Sequence, residues 1–564
     1  MNRSHLEPAV VIALLALHAL LLGWGIARNS VTYDENTHLA SGMAAVTRGN
    51  LWVSAVNPPL VKAACALAAL TAGAVPPSDS AIANFHDPWI AAESFMRANA
   101  AHYHARFTAA RAVIAALSIA LGLLVWFVAR RRSGPLAGGV ALALYALCPE
   151  ILAHGSLVTL DLATALGLFA SLIAFLRFTR TGAWRDGAMM AVAVAATVLT
   201  RFTGLMLLPL FAMLAAAAIA MRVCPRPGRL ALGVALLVPV MLAALQLGYR
   251  GETSWRPLAA GKFSSQRFQA LQRQFPGLAL PLPDAYVAEL DHQAYESQPG
   301  ITPSYLLGQT STHSVWYYTP IALAVKWPLA LWGAIALAAV FWLRDRGRRA
   351  NEDAADARAR FSRAYEALAL MSIPVALLAS SMFLVQLNVG VRYLLPALPP
   401  LFVLASGWLV VPGRARRVAA VALVLVAAIE VAGTAPWYLS FFNAAAGGPG
   451  NGDRIVNDSN IDVGQGLIAL REDLARLGIR RVHLSYHGTA DPALYGIDAV
   501  PYVGGTPGTE SDWIAVSSYY FVGLSQRMMT ARGRTPFVQI DFTPLWARSP
   551  AARPARCMYL FRLR

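Results

Sequence analysis

Two adjacent carboxylates, Asp34 and Glu35, follow directly on the first long apolar run, and His38 comes one helical turn after Asp34. An ionised carboxylate close to hydrocarbon is costly unless partnered, so an acidic pair there is either a solvated loop or a site. The segment continues through Ser41-Gly42 to Asn57-Pro58-Pro59-Leu60-Val61-Lys62 and then re-enters apolar sequence. A second acid, Asp161, stands just inside a later apolar block. A charge at such a place points to function, against the plainer reading that it caps its helix. Cations occupy comparable positions: Arg201 between two apolar blocks, Lys326 several residues into one, and Arg392 just inside another. Lys326 at that depth calls for a neutralising partner, whereas an arginine near a helix end can also snorkel to the headgroups.

The elements that must position these residues are membrane helices. The chain has 564 residues, 57% hydrophobic and only 14% charged, which excludes a soluble enzyme. Its apolar blocks reach the roughly 17–25 residues needed to cross a bilayer. Eleven spans are expected, near 9–27, 107–129, 136–153, 157–177, 186–200, 202–221, 229–248, 319–343, 364–386, 390–411 and 417–435. The first has too long an apolar run for a signal peptide and is followed by many more, so it reads as an anchored helix. Arginines cluster in alternate gaps, at 130–132, 177–185, 222–229, 344–363 and 414–417. Counted from a cytoplasmic N-terminus, all of these gaps fall on one side, as the positive-inside rule requires. The net charge of +17 is thereby explained without nucleic acid. Four cysteines, Cys65, Cys148, Cys224 and Cys557, show no metal-ligand spacing.

On the far side lie two long gaps, 28–106 and 249–318, and the tail from Pro436. The expected organisation is a transmembrane domain over 1–435 and a soluble α/β domain over 436–564. The apolar stretches 60–70 and 82–95 are too short to span and read as interfacial helices. In the tail, 466–477 has a helical pattern, and 482–486, 513–516 and 537–542 read as strands. A tail of that length can bury a core of its own.

The motifs resemble those of the polyprenyl-phosphate-dependent glycosyltransferases, the family of the protein O-mannosyltransferases and lipid A aminoarabinose transferases. Its first periplasmic loop carries an Asp-Glu pair, a His, a Gly and a Pro-Pro-Leu segment, present here as Asp34-Glu35, His38, Gly42 and Pro58-Pro59-Leu60. The run His154 to Asp161 resembles its second acidic motif. Gly390-Val391-Arg392-Tyr393-Leu394-Leu395-Pro396 resembles its Gly-x-Arg-Tyr-x-Leu-Pro. Val315 to Pro328, with Tyr318 and Lys326, is similar to another block. Phe442-Asn443, Gly447-Gly448-Pro449 and Asp458-Ser459-Asn460-Ile461-Asp462-Val463-Gly464-Gln465 resemble a block of one bacterial branch, with Val463 where that branch has Trp.

The resemblance implies a polytopic membrane protein of the C-type glycosyltransferase fold that takes a sugar from a polyprenyl-phosphate carrier. Asp34 matches the catalytic aspartate and would act as base, with Glu35 orienting it or helping to hold a cation. Asp161 would join Asp34 on a divalent cation or share the acceptor; no other cofactor is implied. Arg201, Arg392, Lys326 and Lys62 would hold the donor phosphate. His38, Tyr318, Asn443, Asp458, Asn460, Asp462 and Gln465 would face acceptor or sugar. The tail motif read alone is a turn held by Asx hydrogen bonds, since it lacks the spacing of an EF-hand. The implied partners are a lipid-linked sugar donor, a lipid, glycan or protein acceptor and membrane lipids, in a bacterial inner membrane with the site facing the periplasm. No nucleotide-binding glycine loop or nucleophile elbow occurs. A transporter of lipid-linked saccharides would also carry intramembrane charge, and an inactive scaffold is a third reading, against which the retained Asp34 and Asp161 stand.

Overall fold

A computed structural model describes residues 3–53, 57–83, 88–345, 357–384, 387–388, 390–524, 526–530, 533–538 and 540–563. Parts of the expected segments 82–95, 344–363, 364–386 and 537–542, and Val389 just before the Gly-x-Arg-Tyr block, lie outside the described residues. Among those described, seven helices are long and apolar enough to cross a membrane: Glu7–Arg28, Ala100–Ser133, Asp161–Thr181, Phe202–Ala220, Pro227–Gly248, Arg360–Leu384 and Val391–Val410. Two bent pairs would bring the number to nine. Pro135–Ala146 turns by 60° into Pro149–Gly155, and Tyr318–Lys326 turns by 102° into Leu329–Arg344. The other two expected spans are helices that fall short of this description. Trp184–Val198 has 15 residues, and Arg414–Ala432 carries Arg414, Arg416, Arg417 and Glu430.

The first long loop folds into short helices. Tyr33–Arg48, here the loop helix, packs on Leu60–Thr71 so closely that a Cβ on Gly42 would lie 2.2 Å from the Lys62 carbonyl oxygen. A side chain at 42 would push the two helices apart, which is why glycine serves there.

The tail ends in a four-stranded sheet in the order Asp498–Pro501, Arg481–Ser485, Trp513–Ser517, Met558–Arg562. The first three strands are parallel and the last is antiparallel to its neighbour. A polytopic helical chain with a C-terminal α/β region is thus observed as expected, with helix at Leu467–Arg476 and strands at Arg481–Ser485 and Trp513–Ser517. The third expected strand is displaced toward Gly533–Val538, in a separate hairpin with Gln526–Thr530. One apolar core runs through both parts: Leu142, Phe169 and Leu398 of the helices belong to the same cluster as Val456, Leu470 and Val482 of the tail.

Candidate active site

The loop helix is fixed to the bundle by Glu35. Its carboxylate accepts from Arg111 Nε at 2.7 Å and Nη2 at 2.6 Å, from the Val158 N–H at 2.7 Å, and from the Thr32 N–H and hydroxyl at 2.9 and 3.0 Å. Arg111 also donates to the carbonyls of Ile26, Asn29 and Ser30, so it closes the turn between the first span and the loop helix. Both side chains are fully buried. Burial pushes the Glu35 carboxyl up, but Arg111 and the backbone donors prevail and hold it below the ordinary glutamate value. Its neighbour His38 reaches the same strand of backbone, Nδ1 lying 3.1 Å from the Val158 carbonyl oxygen. Glu35 and His38 together pin the segment leading to Asp161 against the loop helix.

Asp34 points another way. A helix turns about 100° per residue, so Asp34 shares a face with His38 rather than with Glu35. That face opens on a cavity of about 1060 Å³ lined by Asp34, His38, Asp161, Arg201, Arg392 and Asp458, among others. Arg392 Nη1 donates to Asp34 Oδ2 at 2.5 Å, and Arg201 donates to Asp161. The two ion pairs meet over one ring: the guanidinium carbons of Arg201 and Arg392 lie 4.8 and 5.4 Å from the Tyr393 centroid. Burial alone would push the Asp34 carboxyl up, but Arg392, with His38 and Arg201, holds it at about 2. His38 is shifted down, chiefly by burial, with Lys62 and Arg392 adding and Asp34 opposing, so it is neutral at pH 7.

Asp34 and Asp161 are also the pair expected to hold a divalent cation. Each is taken up by an arginine, and no group of three His, Cys, Asp or Glu gathers at a common point among the described residues. The donor set does not fit a metal in this arrangement.

Other expected site residues lie behind the cavity wall. Lys326 Nζ donates to the carbonyls of Leu439, Phe441 and Asn460 at 2.9, 2.8 and 2.6 Å and pairs with Glu150 at 3.0 Å. Asn443 donates to the Ala324 and Trp327 carbonyls, closing the 102° bend. Asn460 accepts from the Val391 N–H at 3.0 Å and donates to the Tyr318 hydroxyl, and so sets the backbone next to Arg392. Gln465 bridges Ile461 and Val463, while Asp462 accepts from the Gly464 N–H. The turn they shape accepts from the Tyr33 N–H at Val463 and from Ser30 at Gln465 and Gly464. Lys62 lines a small recess with Glu289, Ser41 and Asn57; burial lowers its pKa against the pull of Glu289. Of the tail motif Asp458, Ser459 and Val463 line the cavity, and burial pushes the Asp458 carboxyl up to about 6. Asp462, buried deeper, is pushed up to about 7.

Sequence reasoning missed Arg111, whose only signal is a cation near the start of a span. It also passed over Tyr33, Trp89, His487 and Tyr519, which line the cavity with residues of the 254–303 loop. His487 and Tyr519 have no sequence signal, because only the folding of the tail brings them to the loop helix.

Residues 91–244 match the family model of the dolichyl-phosphate-mannose-protein mannosyltransferases. This match bears out the resemblance read from the separated motifs. No curated protein sequence matches the chain. Similar solved structures include ArnT from Cupriavidus metallidurans in the apo state, at 17% identity over 75% of this chain, TM-score 0.46. The same ArnT bound to undecaprenyl phosphate is 15% identical over 76%, TM-score 0.43. The Archaeoglobus fulgidus oligosaccharyltransferase in the apo form is 10% identical over 96% of this chain and 75% of its own length, TM-score 0.48. The chain spans 64% of the length of the two ArnT chains.

Proposed function

We propose that this chain is an integral-membrane glycosyltransferase. It takes a sugar from a polyprenyl phosphate of the undecaprenyl type and passes it, with inversion, to an acceptor hydroxyl on the periplasmic face of the inner membrane. The observation that carries the reading is the pairing of Asp34 with Arg392 and of Asp161 with Arg201 across Tyr393. The family match supports it, since residues 91–244 contain Asp161 and Arg201. The arginine-rich gaps support placing the cavity on the side away from the cytoplasm.

With its carboxyl held at about 2, Asp34 is a weak base at neutral pH, where a catalytic pKa nearer the working pH serves better. An anionic phosphodiester entering the cavity competes with Asp34 for Arg392. Once Arg392 turns to the phosphate, the largest of the charges that depress Asp34 is engaged elsewhere and its basicity rises. The sugar–oxygen bond to phosphate then breaks, its electrons leaving with polyprenyl phosphate. Arg392 and Arg201 stabilise that added charge. The acceptor oxygen forms the new bond to the sugar carbon on the opposite face, and its proton passes to Asp34. Phosphate is already a good leaving group, so no side chain need protonate it.

The test uses the full chain in nanodiscs with radiolabelled polyprenyl-phosphate sugars, following loss of label from the lipid. Transfer by wild type and none by folded Asp34→Asn is expected. Arg392→Lys retains charge but not the flat fork that both pairs and stacks, so its donor KM rises about tenfold or more. Equal activity of Asp34→Asn and wild type removes Asp34 as base. Movement of lipid between leaflets without loss of label makes the chain a transporter.

A further inference from the structure

The cavity has a wall that neither the base nor the arginines use. Tyr33 and Trp89 pack edge to face, with ring centroids 4.7 Å apart and planes at 63°. Behind Tyr33 lies the His487 imidazole, at 5.6 Å and 30°, and behind that the Tyr519 ring, at 3.9 Å and 20°. All four residues line the cavity. The column crosses from the first loop into the tail: His487 comes two residues after the strand Arg481–Ser485, and Tyr519 lies in the short helix Ser518–Phe521.

His487 is fixed on two sides. Its Nδ1 lies 3.1 Å from the Asp462 carbonyl oxygen, and its backbone N–H donates to Ser517 Oγ at 2.9 Å. Burial changes along the column. His487 and Tyr519 are 5% and 4% exposed, whereas Tyr33 and Trp89 are half-buried. The inner rings are a rigid backing, and the outer two present aromatic surface to the cavity.

Tyr33 and Asp34 project about 100° apart on the helix, yet both line the cavity, so the ring and the carboxylate border the same space. An aromatic face is apolar and carries the negative part of the ring quadrupole. The C–H face of a pyranose or furanose matches it, being flat, apolar and made slightly positive by the ring oxygens. The sugar's hydroxyls then fall toward acceptors, and Asp34 and Asp458 line the same cavity. A polyprenyl tail fits this wall poorly, because it offers no hydrogen bond to the Asp34 and Asp458 carboxylates that line the same cavity and would strip them of water. Arg201 and Arg392 hold their acids over Tyr393, which leaves the Tyr33 side for the molecule whose hydroxyl meets the base.

We propose that Tyr33 and Trp89, backed by His487 and Tyr519, form a ring-stacking subsite that holds a sugar of the acceptor beside Asp34. The proposal rests on the glycosyltransferase reading and narrows the acceptor to a saccharide or glycolipid.

Saturation-transfer NMR on the full chain in nanodiscs tests it, with methyl glycosides of hexoses and pentoses at millimolar concentration. Wild type saturates the ring C–H protons of at least one glycoside. Trp89→Ala loses most of that transfer, and Trp89→Phe, which keeps a ring, restores it. No transfer to any glycoside, or equal transfer to wild type and Trp89→Ala, overturns the subsite. The measurement needs no turnover. Glycoside binding with no loss of label from any lipid donor would keep a sugar subsite and overturn glycosyl transfer, and with it the acceptor assignment. In steady state the acceptor KM of Trp89→Ala rises about tenfold while the donor KM holds; a rise in donor KM instead assigns the ring to the donor and overturns the acceptor assignment.

Discussion

Replacing Glu35 by Gln separates two roles for the second acid of the loop pair. In the structure Glu35 holds the fold: five donors converge on its carboxylate, and it and Arg111 are fully buried. A glutamine of the same shape offers one carbonyl oxygen and turns an NH2 group toward donors that have no acceptor to spare. Arg111 is left as a buried cation without a counter-ion, and breaking such a pair costs about 3–5 kcal/mol. The assay is the SDS-unfolding midpoint in mixed micelles, read beside transfer activity per folded molecule. The expected result is a large fall in midpoint with activity surviving in the folded fraction. Glu35→Gln combined with Arg111→Gln recovers part of the loss, because no charge is then left unpaired. The pH dependence has a definite sign. Glu35 is held below its ordinary value of 4.5, so its contribution is complete above that value and is lost as the pH falls toward the folded pKa. The variant lacks this acid-sensitive part. A wild-type midpoint together with abolished activity would refute the reasoning and make Glu35 a participant in the chemistry.

Asp462 gives the opposite sign. Burial raises its carboxyl from an ordinary 3.8 to about 7, so the folded chain binds that proton more tightly and stability declines as pH rises from about 4 through 7. Asp462→Asn is therefore expected to flatten the unfolding midpoint between pH 5 and 8 and to raise it at pH 8; an unchanged slope would clear Asp462 of the effect. Asn443→Ala removes both side-chain bonds that close the 102° bend, leaving the Trp327 carbonyl short of a donor. An unsatisfied buried group costs about 1–3 kcal/mol, read as a lower midpoint and as faster proteolysis between 318 and 344, and a wild-type digestion pattern would contradict it.

Contiguous features were legible in the sequence, and features made by closure were not. The i, i+4 spacing of Asp34 and His38 puts both on one helical face, as the cavity lining bears out. Asp161, Arg201 and Arg392 each stand out as a charge beside apolar sequence, and the cavity gathers all three. Their pairing was invisible, because Asp34 and Arg392 are 358 residues apart and only tertiary closure matches them. Hydropathy also adds residues across a break without registering its angle, so Tyr318–Lys326 and Leu329–Arg344 read as one span despite a 102° turn at Pro328. The proline was the available signal, since it removes a backbone donor and crowds the preceding turn. The tail motif was legible as a polar block, but whether Asn460 and Gln465 face a ligand or the backbone is settled by burial, which an isolated loop sequence does not encode.

That burial explains how a cavity between membrane helices comes to depend on a tail more than four hundred residues from Asp34. Asp34 stands near the start of its helix, and the Tyr33 N–H is held 2.8 Å from the Val463 carbonyl oxygen. Arg392 follows Val391, whose N–H is held by Asn460, and the Asn460 carbonyl is held in turn by Lys326. One short stretch, 460 to 465, therefore sets the backbone at both ends of the Asp34–Arg392 pair. Lys326 and Glu150 anchor that stretch to the helices from within the bundle, which accounts for an ion pair buried where charge is most expensive. A chain truncated after residue 435 would keep its spans and lose the registry between acid and arginine, so the tail motif belongs to what positions Asp34 against Arg392.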